Sequence, residues 1–193
     1  MKRILIALDA GHGGSDPGAM GNGLTEAQLT LDLATGRFTH MARAAGHQAT
    51  PIRVTDEALA LDERVRRALS SQANLFLSFH INAAASLARG FQVWYHGGDQ
   101  RSQKIATRLR RMVADALPQW AGNASRIAAD TERYANGFAV LRGTWQHMPA
   151  LLLEVGFISN ASDAALLRDP VFKQATVLQI VAGISACIAH AEL

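Results

Sequence analysis

Arg3-Ile4-Leu5-Ile6-Ala7-Leu8-Asp9-Ala10-Gly11-His12-Gly13-Gly14-Ser15-Asp16-Pro17-Gly18-Ala19 carries a short apolar run straight into a glycine-rich loop. A run of this length, bounded by turn residues, reads as a buried strand over residues 3–9. The loop over residues 10–23 holds six glycines and Pro17, and a helix is expected over 26–45. Thr25 and Gln28 have capping-box spacing, and Leu24 and Leu29 that of a hydrophobic staple. Glu26 then occupies the first helical position, facing the loop that carries His12.

Further along, apolar runs keep alternating with segments of helical period. Strands are expected over 47–54, 75–79, 91–95 and 150–154, with a short one over 139–142. Helices are expected over 57–71 and 100–117, and from the Asp169-Pro170 cap to about residue 190. Asp62 with Arg66 and Glu63 with Arg67 are spaced to pair on the second helix. The alternation predicts one α/β domain over residues 1–193 with an at least partly parallel sheet.

Composition narrows the chemistry. Of 193 residues, 49% are hydrophobic and 18% charged, the balance of a globular chain. The net charge of +3 suits an anionic partner without choosing among them. A single cysteine, Cys187, excludes an intramolecular disulfide and every multi-cysteine zinc module, so a metal must be held by His and carboxylates. Cys187 lies in an apolar run and is expected to be buried. The apolar stretch over 176–189 falls short of the ~20 residues a membrane span needs and is expected to be a core helix.

Three polar groups stand at or just past predicted strand ends: His12, His80 and Glu154. Strand carboxyl ends border the crevice where open α/β sheets bind ligands, and Glu26 can reach the same rim. Two imidazoles and one carboxylate suit catalytic zinc, while a second carboxylate can move the proton that amide hydrolysis requires. The fourteen positions from His12 to Glu26 match no compact zinc motif, so spacing alone leaves the assignment open.

Residues 8–19 resemble the opening motif of the zinc-dependent N-acetylmuramoyl-L-alanine amidases, which include cell-division amidases and phage lysins. Gly23-Leu24-Thr25-Glu26, Ser78-Phe79-His80-Ile81-Asn82-Ala83 and Met148-Pro149-Ala150 through Leu153-Glu154-Val155-Gly156-Phe157 resemble three further segments of that family, in order. The resemblance implies one zinc ion bound by His12, Glu26 and His80, with Glu154 as general base and acid and Asn82 as a substrate contact or a brace. It implies a mostly parallel, mixed sheet of about six strands flanked by helices, phosphorylase/hydrolase-like, and peptidoglycan as partner. Ala27 and Asp163 depart from the common pattern, which often has a basic residue and Glu there. The run from Tyr95 through Gly97-Gly98 into the next helix carries none of the long regulatory insertion of autoinhibited relatives.

The expected setting is a phage or prophage endolysin: monomeric, without a signal peptide or transmembrane segment, and cytoplasmic until a holin releases it to the wall. The alternatives are a host wall-remodelling amidase whose export signal is absent from this sequence, a non-catalytic peptidoglycan-binding relative, and a zinc carboxypeptidase. No nucleic-acid partner is expected. Arg101, Lys104, Arg108 and Arg111 form a basic helix face, read as solvated or as a contact for anionic wall or membrane. Trp94, Trp120 and Trp145 are candidates for a sugar groove or for the core. Among the remaining histidines His96, just past a strand, is the one nearest a functional position.

Overall fold

The computed structural model describes residues 2–190 and Leu193. Its main sheet has six strands, β1 (Leu5–Ala10), β4 (Gln48–Pro51), β5 (Leu75–Asn82), β6 (Phe91–Tyr95), β7 (Arg126–Ala129) and β8 (Ala150–Phe157), in the order β4-β1-β5-β8-β6-β7. A two-stranded ribbon, β2 (Met20–Gly21) and β3 (Leu24–Thr25), lies in the loop after β1. The first four strands in spatial order are mutually parallel; β6 runs antiparallel to β8, and β7 follows β6. The expected α/β class, with a mostly parallel, mixed sheet of about six strands, is the one observed.

Period-two alternation divides the strands between two cores. Ile6, Leu8, Leu77, Phe79, Leu151 and Leu153 belong to the larger core, which is closed by α4 (Gln100–Ala116), α7 (Pro170–Ala189) and the helix that begins at Glu26. Ala7, Phe76 and Leu152 face the smaller core under α3 (Leu61–Ser70) and α5 (Ala139–Thr144). This second face is only partly covered, and the polar residues Asp9, Ser78, His80 and Glu154 continue its side of β1, β5 and β8. The site is therefore built where the sheet runs out of helix cover.

The first helix is continuous but not uniform: α1 (Glu26–Leu31) and α2 (Thr39–Ala44) flank a π-helical segment, Asp32–Phe38. The wider turn brings Arg37 onto Asp32, five residues earlier, with Nε donating to both carboxylate oxygens at 3.1 Å. No capping box forms: Thr25 makes no side-chain cap. The Glu26 and Ala27 amides instead donate to the loop carbonyls of Ala19 and Pro17, so the His12 loop and the helix are tied by backbone.

Other expectations are corrected. Residues 139–144 form α5 and not a strand, because Val140, Leu141 and Thr144 bury together only at helical spacing. Gly143 of α5 lets α3 approach; a Cβ there would lie 2.7 Å from the Val65 methyls. The sixth strand is β7, whose short, partly exposed edge segment carries little apolar signal. The helix α6 (Ala161–Arg168), capped by Asn160 through the amides of Ser162 and Asp163, lies unforeseen between β8 and α7. Arg66 pairs with Glu63 and not with Asp62, at Nη2–Oε1 2.6 Å. The helix α7 reaches 20 residues, long and apolar enough to span a membrane by length and composition. Its Val177, Ile180, Ile184 and Cys187 are nonetheless in the larger core, as expected of a core helix.

Candidate metal centre and catalytic cavity

Four segments distant in sequence meet at the uncovered end of the smaller core. β1 ends at Ala10, and His12 follows with φ at 60°, a left-handed conformation that costs energy in a non-glycine residue and concentrates at functional sites. The conformation aims the ring inward, and its Nδ1 donates to Asp16 Oδ2 at 2.8 Å. Glu26, only 4% exposed, is held through both oxygens. Its Oε2 accepts from the Ala19 amide at 2.8 Å and its Oε1 from the Ile81 amide at 2.9 Å. That Oε1 also lies 3.0 Å from His80 Nδ1 and 3.2 Å from His12 Nε2. One ligand atom from each of His12, Glu26 and His80 lies within 4.8 Å of the others.

Two glycines make room for this convergence. A Cβ on Gly11 would overlap the His80 ring. Gly18 has φ at +65°, and a Cβ there would stand 2.7 Å from both Glu26 Oε2 and the His12 ring.

The charges are coupled. Burial lowers the His12 pKa, but the neighbouring carboxylates of Glu26 and Asp16 outweigh it and hold the imidazole up at about 9. Burial alone would raise Glu26, yet hydrogen bonds from His12 and His80 pull it well below the usual carboxylate range. Glu154 behaves oppositely. It is the register partner of His80 on the adjacent strand, is 8% exposed, and its Oε2 has no hydrogen-bond partner among the described residues. Burial pushes its pKa up to about 7, with the Glu26 charge adding to the rise and His80 opposing it. One carboxylate is kept ionised and the other near neutrality, a division suited to a metal ligand and a proton carrier.

His12, Glu26, His80 and Glu154 line one cavity of about 570 Å³. It is lined as well by residues 59–61, at the start of α3, and by Arg133, Tyr134 and Phe138, ahead of α5. The expected four residues are thus brought together. Asn82 lines the cavity too, but its side chain is engaged: Nδ2 donates to Gln92 Oε1 at 2.9 Å and Oδ1 accepts from the Ala83 amide. That is a bracing arrangement.

Sequence reasoning missed three supports. Asp16, which orients His12, lay unmarked inside the loop motif. Arg64 makes a buried ion pair with Asp9 through Nη1 at 2.7 Å; Nη1 also donates to the Ala10 carbonyl at 2.7 Å and Nη2 to that of His12 at 2.6 Å. Arg53, fully buried, donates to the carbonyls of Ala10, Gly11, Thr55 and Ala27. Asp9 itself was the available signal, since a carboxylate closing an apolar strand needs a cation nearby.

Other candidates lie elsewhere. His96 stacks on Trp145, with ring centroids 4.7 Å apart, and is not among the residues lining the cavity. Trp94 and Trp120 are core residues. Arg101 leaves the expected basic face to bond the Trp145 carbonyl at 2.7 Å, while Lys104, Arg108 and Arg111 line a shallow surface depression. Asp163 is fully buried and accepts from the Gly90 and Phe157 amides, so its departure from Glu falls on a structural position.

Comparison with known proteins agrees with the geometry. The chain is 34% identical over 185 residues to the uncharacterized protein YqiI of Bacillus subtilis, spanning 94% of this chain and 83% of that one. It is 37% identical to the N-acetylmuramoyl-L-alanine amidase LytC of the same species, over 87% of this chain but 32% of LytC. It is 32% identical to the endolysin of Bacillus phage SPP1, over 87% of this chain and 60% of the endolysin. Among solved structures, the amidase AmiC2 of Nostoc punctiforme superposes with a TM-score of 0.83 at 26% identity, covering 96% of this chain and 97% of that one. Residues 6–186 match the family Amidase_3, described as N-acetylmuramoyl-L-alanine amidase, and the chain belongs to that family and enzyme class.

Proposed function

We propose that this chain, residues 1–193 acting as one catalytic domain, hydrolyses the amide bond between N-acetylmuramic acid and the L-alanine of the peptidoglycan stem. One zinc ion would be held by His12, Glu26 and His80, and Glu154 would carry the proton. The observation behind this is the convergence of two imidazoles and a carboxylate from separate elements beside a second, unpartnered carboxylate. That donor set fits zinc, which when bound supplies Lewis acidity towards a carbonyl and a water molecule. Glu154, poised near neutrality, takes a proton from the attacking water. As the oxygen bonds to the carbonyl carbon and the C–N bond breaks, Glu154 delivers the proton to the L-alanine nitrogen. Asp16 keeps His12 in one tautomer and orientation, the role of an outer-shell carboxylate.

The finer reading is a phage or prophage endolysin, monomeric and released to the wall by a holin. Its supports are the similarity to the phage SPP1 endolysin and the four-residue connection from Tyr95 to Gln100, which spans no part of the cavity. A host remodelling amidase is the competing setting, favoured by the similarity to LytC. A neighbouring holin gene supports the first, and an export signal in the full gene supports the second.

Digestion of purified sacculi followed by mass spectrometry tests the reaction. Lactyl groups stripped of peptide and released L-alanine-led peptides are expected. Cleavage within the stem would indicate a carboxypeptidase, and binding without cleavage a non-catalytic relative.

A further inference from the structure

A second depression, of about 370 Å³, adjoins the catalytic cavity, and Asn82, Ala83 and Arg133 line both. The two differ in charge. Asp9, Asp16, Glu26 and Glu154 line the first beside Arg64 and Arg133, whereas the second is lined by Arg126 and Arg133 and by no carboxylate. Arg126 stacks over Trp94 with its guanidinium carbon 4.8 Å from the ring centroid. Arg133 stands 6.0 Å from the Trp94 ring and 5.6 Å from that of Tyr134. Neither guanidinium makes a hydrogen bond or an ion pair among the described residues.

The platform beneath them is rigid. Trp94 is fully buried and its Nε1 donates to Gln92 Oε1, which also accepts from Asn82 Nδ2, while Gln92 Nε2 donates to the Ala124 carbonyl. A guanidinium stacked on a fixed ring loses little further freedom on binding and keeps its N–H edge for a planar acceptor. Two such groups on one wall, neither paired with an acid although Arg133 also acts at longer range on Glu154, form a receptor for a carboxylate. Resting on the amidase reading above, we infer that Arg126 and Arg133 form an anion subsite that recognises a carboxylate on the stem peptide. N-Acetylated sugars carry no charge, so the stem supplies the anion. The acidic residue after L-alanine, or the following diamino acid, can each present a carboxylate that amidation removes.

The test compares synthetic muramyl peptides whose second or third stem residue is either acid or amide. Wild-type protein is expected to favour the acid form in kcat/KM by roughly tenfold or more. The position that responds identifies the carboxylate. In Arg133→Gln, and in the Arg126→Gln/Arg133→Gln double variant, the acid-to-amide ratio should collapse towards one, while Arg133→Lys keeps part of it. Calorimetric binding of the acid and amide stem peptides to chelator-treated protein supplies a readout independent of turnover. Equal efficiency on acid and amide forms at both positions in the wild type would overturn the inference. So would an unchanged ratio in the double variant accompanied by a lower Tm, which would make the arginines mere covers of Trp94. If no substrate is cleaved but acid peptides bind through Arg133, the amidase reading fails and the subsite stands.

Discussion

His80 and Glu154 are register partners on adjacent parallel strands, so both side chains leave the same face of the sheet. A neighbouring imidazole would ordinarily hold a carboxylate ionised, but burial of Glu154 prevails and its pKa rises to about 7. Glu154→Gln keeps the shape and removes the titration. Turnover on sacculi should fall by about 10² or more while zinc content, measured by atomic emission, stays near that of the wild type. Native-rate hydrolysis by this variant would remove Glu154 from the mechanism.

The same shift has a consequence for stability. Between the ordinary glutamate value of 4.5 and about 7, the folded chain retains a proton on Glu154 that the unfolded chain has released. Fewer protons bound on unfolding means that the stability contributed by this group falls as pH rises through the window. In chelator-treated protein, Glu154→Gln should therefore gain stability relative to wild type as pH rises from about 4.5 to about 7. Urea titrations at several pH values measure the difference, and parallel profiles would contradict the placement of this carboxyl.

Zinc binding at the proposed site would have a protonic signature. His12, held up at about 9 by Glu26 and Asp16, carries a proton at neutral pH that a metal must displace. Chelation should abolish turnover and zinc restore it. Calorimetric zinc titrations in buffers of different ionisation enthalpy should report proton release, with affinity weakening as pH falls. Activity that survives thorough metal removal would refute the metal mechanism.

The Asp16 side chain is 64% exposed, and among the described residues its hydrogen bonds go to His12 and the Gly18 amide. Asp16→Ala should leave folding intact while lowering zinc affinity by roughly 10- to 100-fold, the usual cost of losing a carboxylate behind a ligand histidine. Competition with a fluorescent chelator measures it; unchanged affinity would make the contact incidental.

Arg64→Leu should leave the Asp9 carboxylate buried in the sheet with only the Ser78 hydroxyl as partner and free the His12 carbonyl, while Arg53 still holds that of Ala10. Removing one partner of a buried pair costs about 3–5 kcal/mol. Thermal unfolding of Arg64→Leu and of the double variant Asp9→Ala/Arg64→Leu should show the double variant as the more stable of the two.

Local pattern determined a good deal here. Apolar runs located β1, β5, β6 and β8 because a strand buried on both faces must be apolar throughout, and helical period located α3, α4 and α7. The family resemblance then singled out His12, Glu26, His80 and Glu154 against ordinary readings, such as a helix-start glutamate. Tertiary structure alone decided the rest. Residues 139–144 became α5 because α3 offered Gly143 a helix face to pack on, and a six-residue segment with three apolar residues at its start does not record its partner. The pairing of Arg64 with Asp9, of Asp16 with His12, and the meeting of Arg126 and Arg133 over Trp94 are equally absent from any periodicity. Periodicity records which side chains must leave water; which charge answers which is settled only when distant segments pack.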